Sequence, residues 1–146
     1  MTRRLSSEIL HATTVAFDGR AVIISGRSGS GKSDLALRLL DRGFVLVSDD
    51  QTMIRKLDGR LVASSPPAIK GKLEVRGVGI VEVESQDDVA VCLFVITASE
   101  VERLPEDGRE RLVLGLPVPL VSIDAMTASA PAKVAMALDR LGLKPV

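Results

Sequence analysis

The chain has no tryptophan and no tyrosine, and only three phenylalanines among its 146 residues. Its core must therefore be built from Val, Leu, Ile and Ala. Cysteine is almost missing: Cys92 alone cannot close an internal disulfide, and its apolar strand context reads as a buried small hydrophobe. Net charge is missing too. Nineteen basic and nineteen acidic residues cancel, which argues against a nucleic-acid or membrane electrostatic footprint. The longest strongly apolar run, Val89 to Ile96, falls far short of the roughly 18 residues of a membrane span. Arg3 and Arg4 are not followed by an apolar signal region. A chain of this length buries about 68–70% of its unfolded surface and needs no staples. These absences fit one soluble cytoplasmic domain spanning residues 1–146, with no membrane or nucleic-acid partner.

What is present starts with Gly26-Arg27-Ser28-Gly29-Ser30-Gly31-Lys32-Ser33, a complete G-x-x-x-x-G-K-S phosphate loop. Ala21–Ser25 before it is a short β-branched run that reads as a buried strand. Ser33–Leu40 after it carries helix formers with apolar residues at helical spacing. That strand–loop–helix context is the one the motif requires. Glycines let the backbone turn its N–H groups inward at a helix N-terminus, which favours anions. Lys32 would reach the β- and γ-phosphates of ATP, and Ser33 would offer a hydroxyl to Mg²⁺.

The rest of the chain is rich in strands. The pattern predicts strands over Thr13–Phe17 and Ala21–Ser25, joined at Asp18-Gly19, and over Thr52–Leu57 and Arg60–Ser64, joined at Asp58-Gly59. The first helix should stop at Arg42-Gly43, with Gly43 as its cap. Phe44–Ser48 is a further strand, expected beside the phosphate-loop strand. Val89–Thr97 reads as the central strand. Pro105–Arg111 reads as a polar loop or short helix. Leu116–Ile123 carries prolines and belongs near an edge. Pro131 opens a last helix to about Leu141. The expectation is an α/β P-loop domain with a mixed, hairpin-rich sheet.

Other residues could carry chemistry. Asp49-Asp50 ends a strand, where a carboxylate can hold Mg²⁺ or take a proton from an attacking hydroxyl. One would suffice for the metal, so two suggest a division between metal and proton transfer. His11, the single histidine, reads by itself as a solvated loop residue. Glu74 and Arg76 face the same side in extended chain, with Gly77 and Gly79 allowing a close backbone approach. By itself this stretch reads as a strand with a bulge. Arg103, Arg109 and Arg111 surround an acidic loop and read first as solvated charges.

Taken together, His11-Ala12, the loop Gly26–Ser33, the run Arg42–Asp50 and the segment Leu73–Ile80 resemble the catalytic domain of HPr kinase/phosphorylase. The phosphate loop is common to many families. The aspartate pair seventeen and eighteen residues beyond Lys32, followed by Glu-x-Arg-Gly-x-Gly, is much more specific. The match covers about residues 11–82. The family's fold is related to the nucleotide site of phosphoenolpyruvate carboxykinase.

The resemblance implies an enzyme that phosphorylates a serine of an HPr-type phosphocarrier of a phosphotransferase system, using ATP and Mg²⁺. Family members also dephosphorylate it by phosphorolysis and assemble as homo-oligomers. Carried over by position, Gly26–Ser33 would bind the nucleotide, Lys32 its phosphates, and Ser33 and Glu74 the metal. One of the two aspartates would accept the serine proton, Asp50 being preferred and Asp49 beside it the alternative, with His11 in support. Arg76 belongs to the signature segment, and Arg103 aligns with a further active-site arginine. Family members carry an additional N-terminal domain; here the matching region starts almost at Met1, as in a short form. The stretch Ile123–Ala130 holds no arginine where the family pattern has one that serves dephosphorylation. Two other readings use the same residues: a nucleotide-sensing module without catalysis, and a small-molecule P-loop kinase.

Overall fold

A computed structural model describes residues 6–144; Met1–Leu5, with the two arginines, and Pro145–Val146 lie outside the described residues. The elements in chain order are β1 (Ser7–Leu10), β2 (Ala12–Phe17), β3 (Arg20–Ser25), α1 (Lys32–Leu40), β4 (Val45–Ser48), β5 (Thr52–Leu57), β6 (Arg60–Ser64), β7 (Lys72–Val75), β8 (Gly79–Glu82), β9 (Val89–Thr97), β10 (Glu110–Val113), β11 (Leu116–Ile123) and α2 (Ala130–Leu141). No helix among the described residues is long and apolar enough to cross a membrane.

Three tight hairpins build much of the sheet. Asp18-Gly19 and Asp58-Gly59 both take left-handed φ angles, 52° and 74° in the first and 51° and 76° in the second. That backbone matches the twist of the strands it joins. The third hairpin, β10–β11, turns at Leu114-Gly115 with φ of 49° and 79°. A leucine at φ > 0 is uncommon, so Gly115 is the one turn signal the sequence carries here. Residues 110–113, expected within or just past a polar loop or short helix, are therefore a strand.

β9 is the central strand. β3 runs parallel along one edge. The other edge is divided: Val89 and Ala90 pair with β6, and Phe94–Thr97 pair in parallel with β11. The prolines of β11, Pro117 and Pro119, fall where it pairs with β10 and leave its β9 pairing intact. The connected order is β1-β5-β6-β9-β3-β2-β4. The sheet curls, so that β5 returns to β2 through a 2.8 Å hydrogen bond between the Thr14 and Thr52 hydroxyls. One expectation is corrected here. β4 pairs with β2 and not with the β3 strand that feeds the Gly26–Ser33 loop, because the β2–β3 hairpin places β2 between them.

Side chains alternate along a strand, and here both faces are covered. Val22, Ile24, Leu93 and Val95 meet Leu35 and Leu39 of α1 and Val134 and Leu138 of α2. Ile23, Val91 and Phe94 point the other way, into a second core with Ile54 and Val118 inside the curl. Strands buried on both sides read as continuous apolar runs, as Ala21–Ile24 and Val89–Ile96 do. Cys92 lies in the first core, where burial pushes its thiol above the ordinary range. Leu39 is fully buried. Leu39→Ala is expected to lower unfolding free energy by about 2–5 kcal/mol, read from urea denaturation midpoints.

α1 ends at Leu40 with Asp41, not Gly43, as its cap residue. Gly43 nevertheless turns the chain: its N–H bonds Leu40 O and the Phe44 N–H bonds Leu39 O. β7 and β8 form a separate two-stranded sheet. Leu73 of β7 is fully buried in the α1 core.

Candidate functional site

The Gly26–Gly31 loop leaves β3 at the carboxyl end of the central strands and enters α1. No side chain caps α1, so its first-turn N–H groups face the loop and favour negative charge. Lys32 reaches back across the loop, its ammonium 2.8 Å from Gly26 O and 3.1 Å from Arg27 O. Arg27, Ser28 and Gly29 form the exposed crest. Beside them is a cleft of about 590 Å³, closed by Thr97 at the end of β9 and by Asp124, Ala125 and Met126 after β11.

Thr97 carries no motif in the sequence, yet it fixes the loop. Its hydroxyl reaches Ser25 O at 3.2 Å and Ser30 Oγ at 2.8 Å. A Cβ on Gly26 would lie 1.8 Å from that hydroxyl, at a φ of 157°. Gly26→Ala is therefore expected to push Thr97 aside and deform the loop. Nucleotide affinity should fall by at least tenfold in calorimetry, and adding Thr97→Ala should restore part of it. Arg38 was also missed. It bonds Asp34 within α1 and the carbonyls of Ala125 and Thr127. It thereby ties the 124–127 loop to the helix that begins at Lys32.

Asp49 is the hub. It is buried, and its Oδ1 accepts hydrogen bonds from Ser33 Oγ at 2.7 Å and Thr13 Oγ1 at 3.0 Å. Its Oδ2 accepts the Glu74 N–H at 3.0 Å. Four separate elements thus meet on one carboxylate: α1, β2, β7 and the end of β4. Thr13 in turn accepts the Asp50 N–H at 3.1 Å. Thr13 and Thr14 are adjacent buried polar residues in an otherwise apolar strand, the one signal that could have drawn attention to Thr13.

Asp50 differs from its neighbour in every respect. Its side chain is 65% exposed, and its Oδ1 lies 3.6 Å from His11 Nδ1. Its φ is 66°, at the centre of a three-residue turn closed by the Gln51 N–H on Asp49 O at 2.7 Å. Such turns are rare and strained, and strain of this kind collects at working sites. His11 lies between β1 and β2, with its ring 83% exposed.

The structure brings Lys32, Ser33, Asp49, Asp50, His11 and the Glu74 backbone together. The Glu74 side chain is exposed on β7. Arg76 is at the β7–β8 turn, and Arg103 is in the exposed loop between β9 and β10. Neither arginine forms an ion pair among the described residues. The expected bulge at this segment is instead a hairpin. Val78 N–H bonds Val75 O at 2.9 Å, with Gly77 at φ 85° between them. Nothing stands within 4 Å of a Cβ on Gly77 or Gly79, so these glycines serve the turn and not a close approach. Among the described residues no three His, Cys, Asp or Glu side chains cluster as a metal cage. The donors present, one hydroxyl and one carboxylate in contact, suit an ion such as Mg²⁺. It binds through one or two carboxylates plus phosphates and water, and not in an all-protein cage.

The class is visible in the architecture: a mixed α/β domain whose curled sheet carries the loop at its strand ends. The structure of the Hpr(Ser) kinase/phosphatase from Coxiella burnetii matches it with a TM-score of 0.79 and 26% identity. The match covers 90% of this chain and 88% of that one. The chain belongs to the HPr Serine kinase C-terminal domain family, whose model matches residues 3–138. It is 36% identical over 126 residues to an HPr kinase/phosphorylase of Clostridium tetani, covering 78% of this chain and 41% of that protein. An HPr kinase/phosphorylase of Clostridium botulinum is 49% identical over 74 residues, or 51% of this chain and 24% of that one. The chain thus spans less than half the length of these relatives.

Proposed function

We propose that this chain is an ATP- and Mg²⁺-dependent protein kinase that phosphorylates a serine of an HPr-type phosphocarrier. The observation that carries the reading is the contrast between its two aspartates. The oxygens of Asp49 are occupied by Ser33, Thr13 and Glu74. Asp49 holds Ser33 in place and is not free to take a proton. Asp50 is exposed beside His11 and is free to do so.

The Gly26–Gly31 amides and the α1 N-terminus bind the triphosphate. Lys32, drawn from Gly26 O and Arg27 O, neutralises charge on the transferring group. Ser33 and Glu74 would hold the metal ion, with Asp49 fixing the Ser33 hydroxyl that meets it. When bound, that ion offsets the negative charge of the β- and γ-phosphates. The Asp50 carboxylate takes the proton of the serine hydroxyl as its oxygen bonds to the γ-phosphorus and the bond to the β-phosphate oxygen breaks. ADP and a phosphoserine result. His11 stands beside Asp50 and positions it. Arg76 and Arg103 stand on exposed turns and loops from which they could meet the carrier, and no nearer role is assigned to them.

An exposed proton acceptor suits a serine carried on a protein surface. A metabolite kinase encloses its substrate to exclude water, and Asp50 is not enclosed. A module that only binds nucleotide has no use for an acid held in a strained turn. The test is to incubate the purified chain with ATP, Mg²⁺ and the HPr-type carrier, and to weigh the carrier. A product heavier by one phosphate, mapped to serine, is expected. An unmodified carrier in the presence of bound ATP contradicts the reading.

A further inference from the structure

The ladder between β2 and β4 stops one residue short of the two aspartates. Its last pair is Thr14 opposite Ser48, so Asp49 and Asp50 lie beyond it. Just before that end it carries a bulge: Val15 pairs with Leu46, and Val47 is left without a partner. A bulge bends its strand and re-aims the residues that follow. The next antiparallel position sets Thr13 opposite Asp49, and there a side chain takes over from the ladder. The Thr13 hydroxyl gives its one proton to Asp49 Oδ1 at 3.0 Å and accepts the Asp50 N–H at 3.1 Å. A hydroxyl has one donor and two acceptor sites. With the proton committed to Asp49, a lone pair is left for Asp50.

That second bond has a particular target. The peptide unit joining Asp49 to Asp50 has two polar ends. Its carbonyl, Asp49 O, accepts the Gln51 N–H at 2.7 Å, a bond local to the turn. Its N–H is that of Asp50 and goes to Thr13, on another strand. Asp50 sits at a φ of 66°, which a residue other than glycine keeps only where its surroundings enforce it. Its side chain is exposed, so packing around the carboxylate does not supply that constraint. Thr14 makes a natural comparison. It is as deeply buried as Thr13 but points to the opposite face of the strand, where its hydroxyl meets that of Thr52.

We propose that Thr13 is a positioning residue for the transfer step: its hydroxyl pins the Asp49–Asp50 peptide unit to β2 and so aims the Asp50 carboxylate. This rests on the kinase reading of the site. Asp49 Oδ1 accepts both the Ser33 and the Thr13 hydroxyls. The chain Ser33–Asp49–Thr13–Asp50 therefore refers the phosphate-loop end and the proton acceptor to a single oxygen. Thr13 is fully buried, so it acts on the reaction through Asp50 and not by contact with the reacting groups.

The test uses the full chain with ATP, Mg²⁺ and the HPr-type carrier. Thr13→Val keeps the shape and removes both hydrogen bonds; Thr13→Ser keeps the hydroxyl; Thr14→Val loses a buried hydrogen bond on the other face. A misplacement of about 1 Å at a reacting group costs up to about 10²-fold. The expected result for Thr13→Val is a kcat lowered by about 10- to 10²-fold, with KM for ATP and for the carrier within about twofold. Thr13→Ser stays within about threefold of the parent and Thr14→Val within about twofold. In an Asp50→Asn background, adding Thr13→Val changes the single-turnover rate by less than about twofold, because the group it aims is gone. A Thr13→Val kcat within twofold of the parent overturns the proposal. So does an equal fall in Thr14→Val, a Thr13→Ser rate no better than that of Thr13→Val, or a further full fall in the Asp50→Asn background. Should Thr13→Val not fold, Thr13→Cys against Thr13→Ser decides, since the two are close in size and a thiol is a weak donor and acceptor. A Cys rate about tenfold below the Ser rate supports the role, and equal rates overturn it. An unaltered chain that phosphorylates no carrier defeats the kinase reading and this role together; a carrier phosphorylated as fast by Thr13→Val defeats this role alone.

Discussion

Asp50→Asn lowers phosphoryl transfer to the carrier by about 10²–10⁴-fold, the usual contribution of a positioned general base. ATP and Mg²⁺ affinities stay within about twofold. The split follows from the geometry. The side chain of Asp50 is exposed, and among the described residues its one ion-pair partner is His11 and it forms no hydrogen bond with the Gly26–Ser33 loop. The amide keeps the shape and removes the proton acceptor. Its backbone hydrogen bond to Thr13 is untouched, so the three-residue turn persists. The measurement pairs single-turnover kinetics with calorimetry of nucleotide binding. A variant that transfers phosphate at the parent rate removes Asp50 from the chemistry. A variant that fails to bind ATP moves Asp50 from proton transfer to the nucleotide site.

Asp49→Ala has the opposite profile and the larger structural effect. Three donors lose their acceptor at once: the Ser33 hydroxyl, the Thr13 hydroxyl and the Glu74 N–H. Thr13 is fully buried, so water cannot easily replace the lost bond. A hydrogen bond to a charged group contributes about 1.5–3 kcal/mol; with Ser33 and Glu74 partly compensated by water, the net loss of stability should be roughly 2–4 kcal/mol. It is read from denaturant midpoints. Transfer falls by at least 10²-fold, comparable with loss of Asp50, but Mg²⁺-dependent ATP affinity falls too, because nothing orients Ser33. Stability within about 0.5 kcal/mol of the parent would show that Asp49 is not the hub that joins α1, β2 and β7.

Much of this was legible in the sequence because local chemistry announces it. The strand, glycine-rich loop and helix around Lys32 need no tertiary information. Asp-Gly twice marked a tight hairpin. Val89–Thr97 read as central because both faces of it are apolar. Where the sequence was silent, the cause was non-local. The β10–β11 hairpin turns on Leu114, a residue that no turn rule favours. Glu74-Val75-Arg76-Gly77 looked like a bulged strand because the hairpin partner, Gly79–Glu82, offers no alternation of its own. The placement of β4 away from β3 depends on which side of the β2–β3 hairpin it joins. Among site residues, Gly26–Ser33 and Asp49-Asp50 stood out by spacing. Thr13, Arg38 and Thr97 did not, since each acts through a partner 36 to 89 residues away. The different fates of the two aspartates are likewise invisible in sequence: one is buried by three donors, and the next is turned outward at a φ of 66°.

The most direct measurement is a crystal structure of the chain with Mg²⁺ and a non-hydrolysable ATP analogue. The expected density runs the triphosphate along the Gly26–Gly31 amides, with Lys32 released from Gly26 O onto the phosphates, Ser33 on the metal, and the Asp50 carboxylate facing the terminal phosphate across a gap wide enough for a hydroxyl. A nucleotide bound elsewhere, or a terminal phosphate out of reach of Asp50, contradicts it.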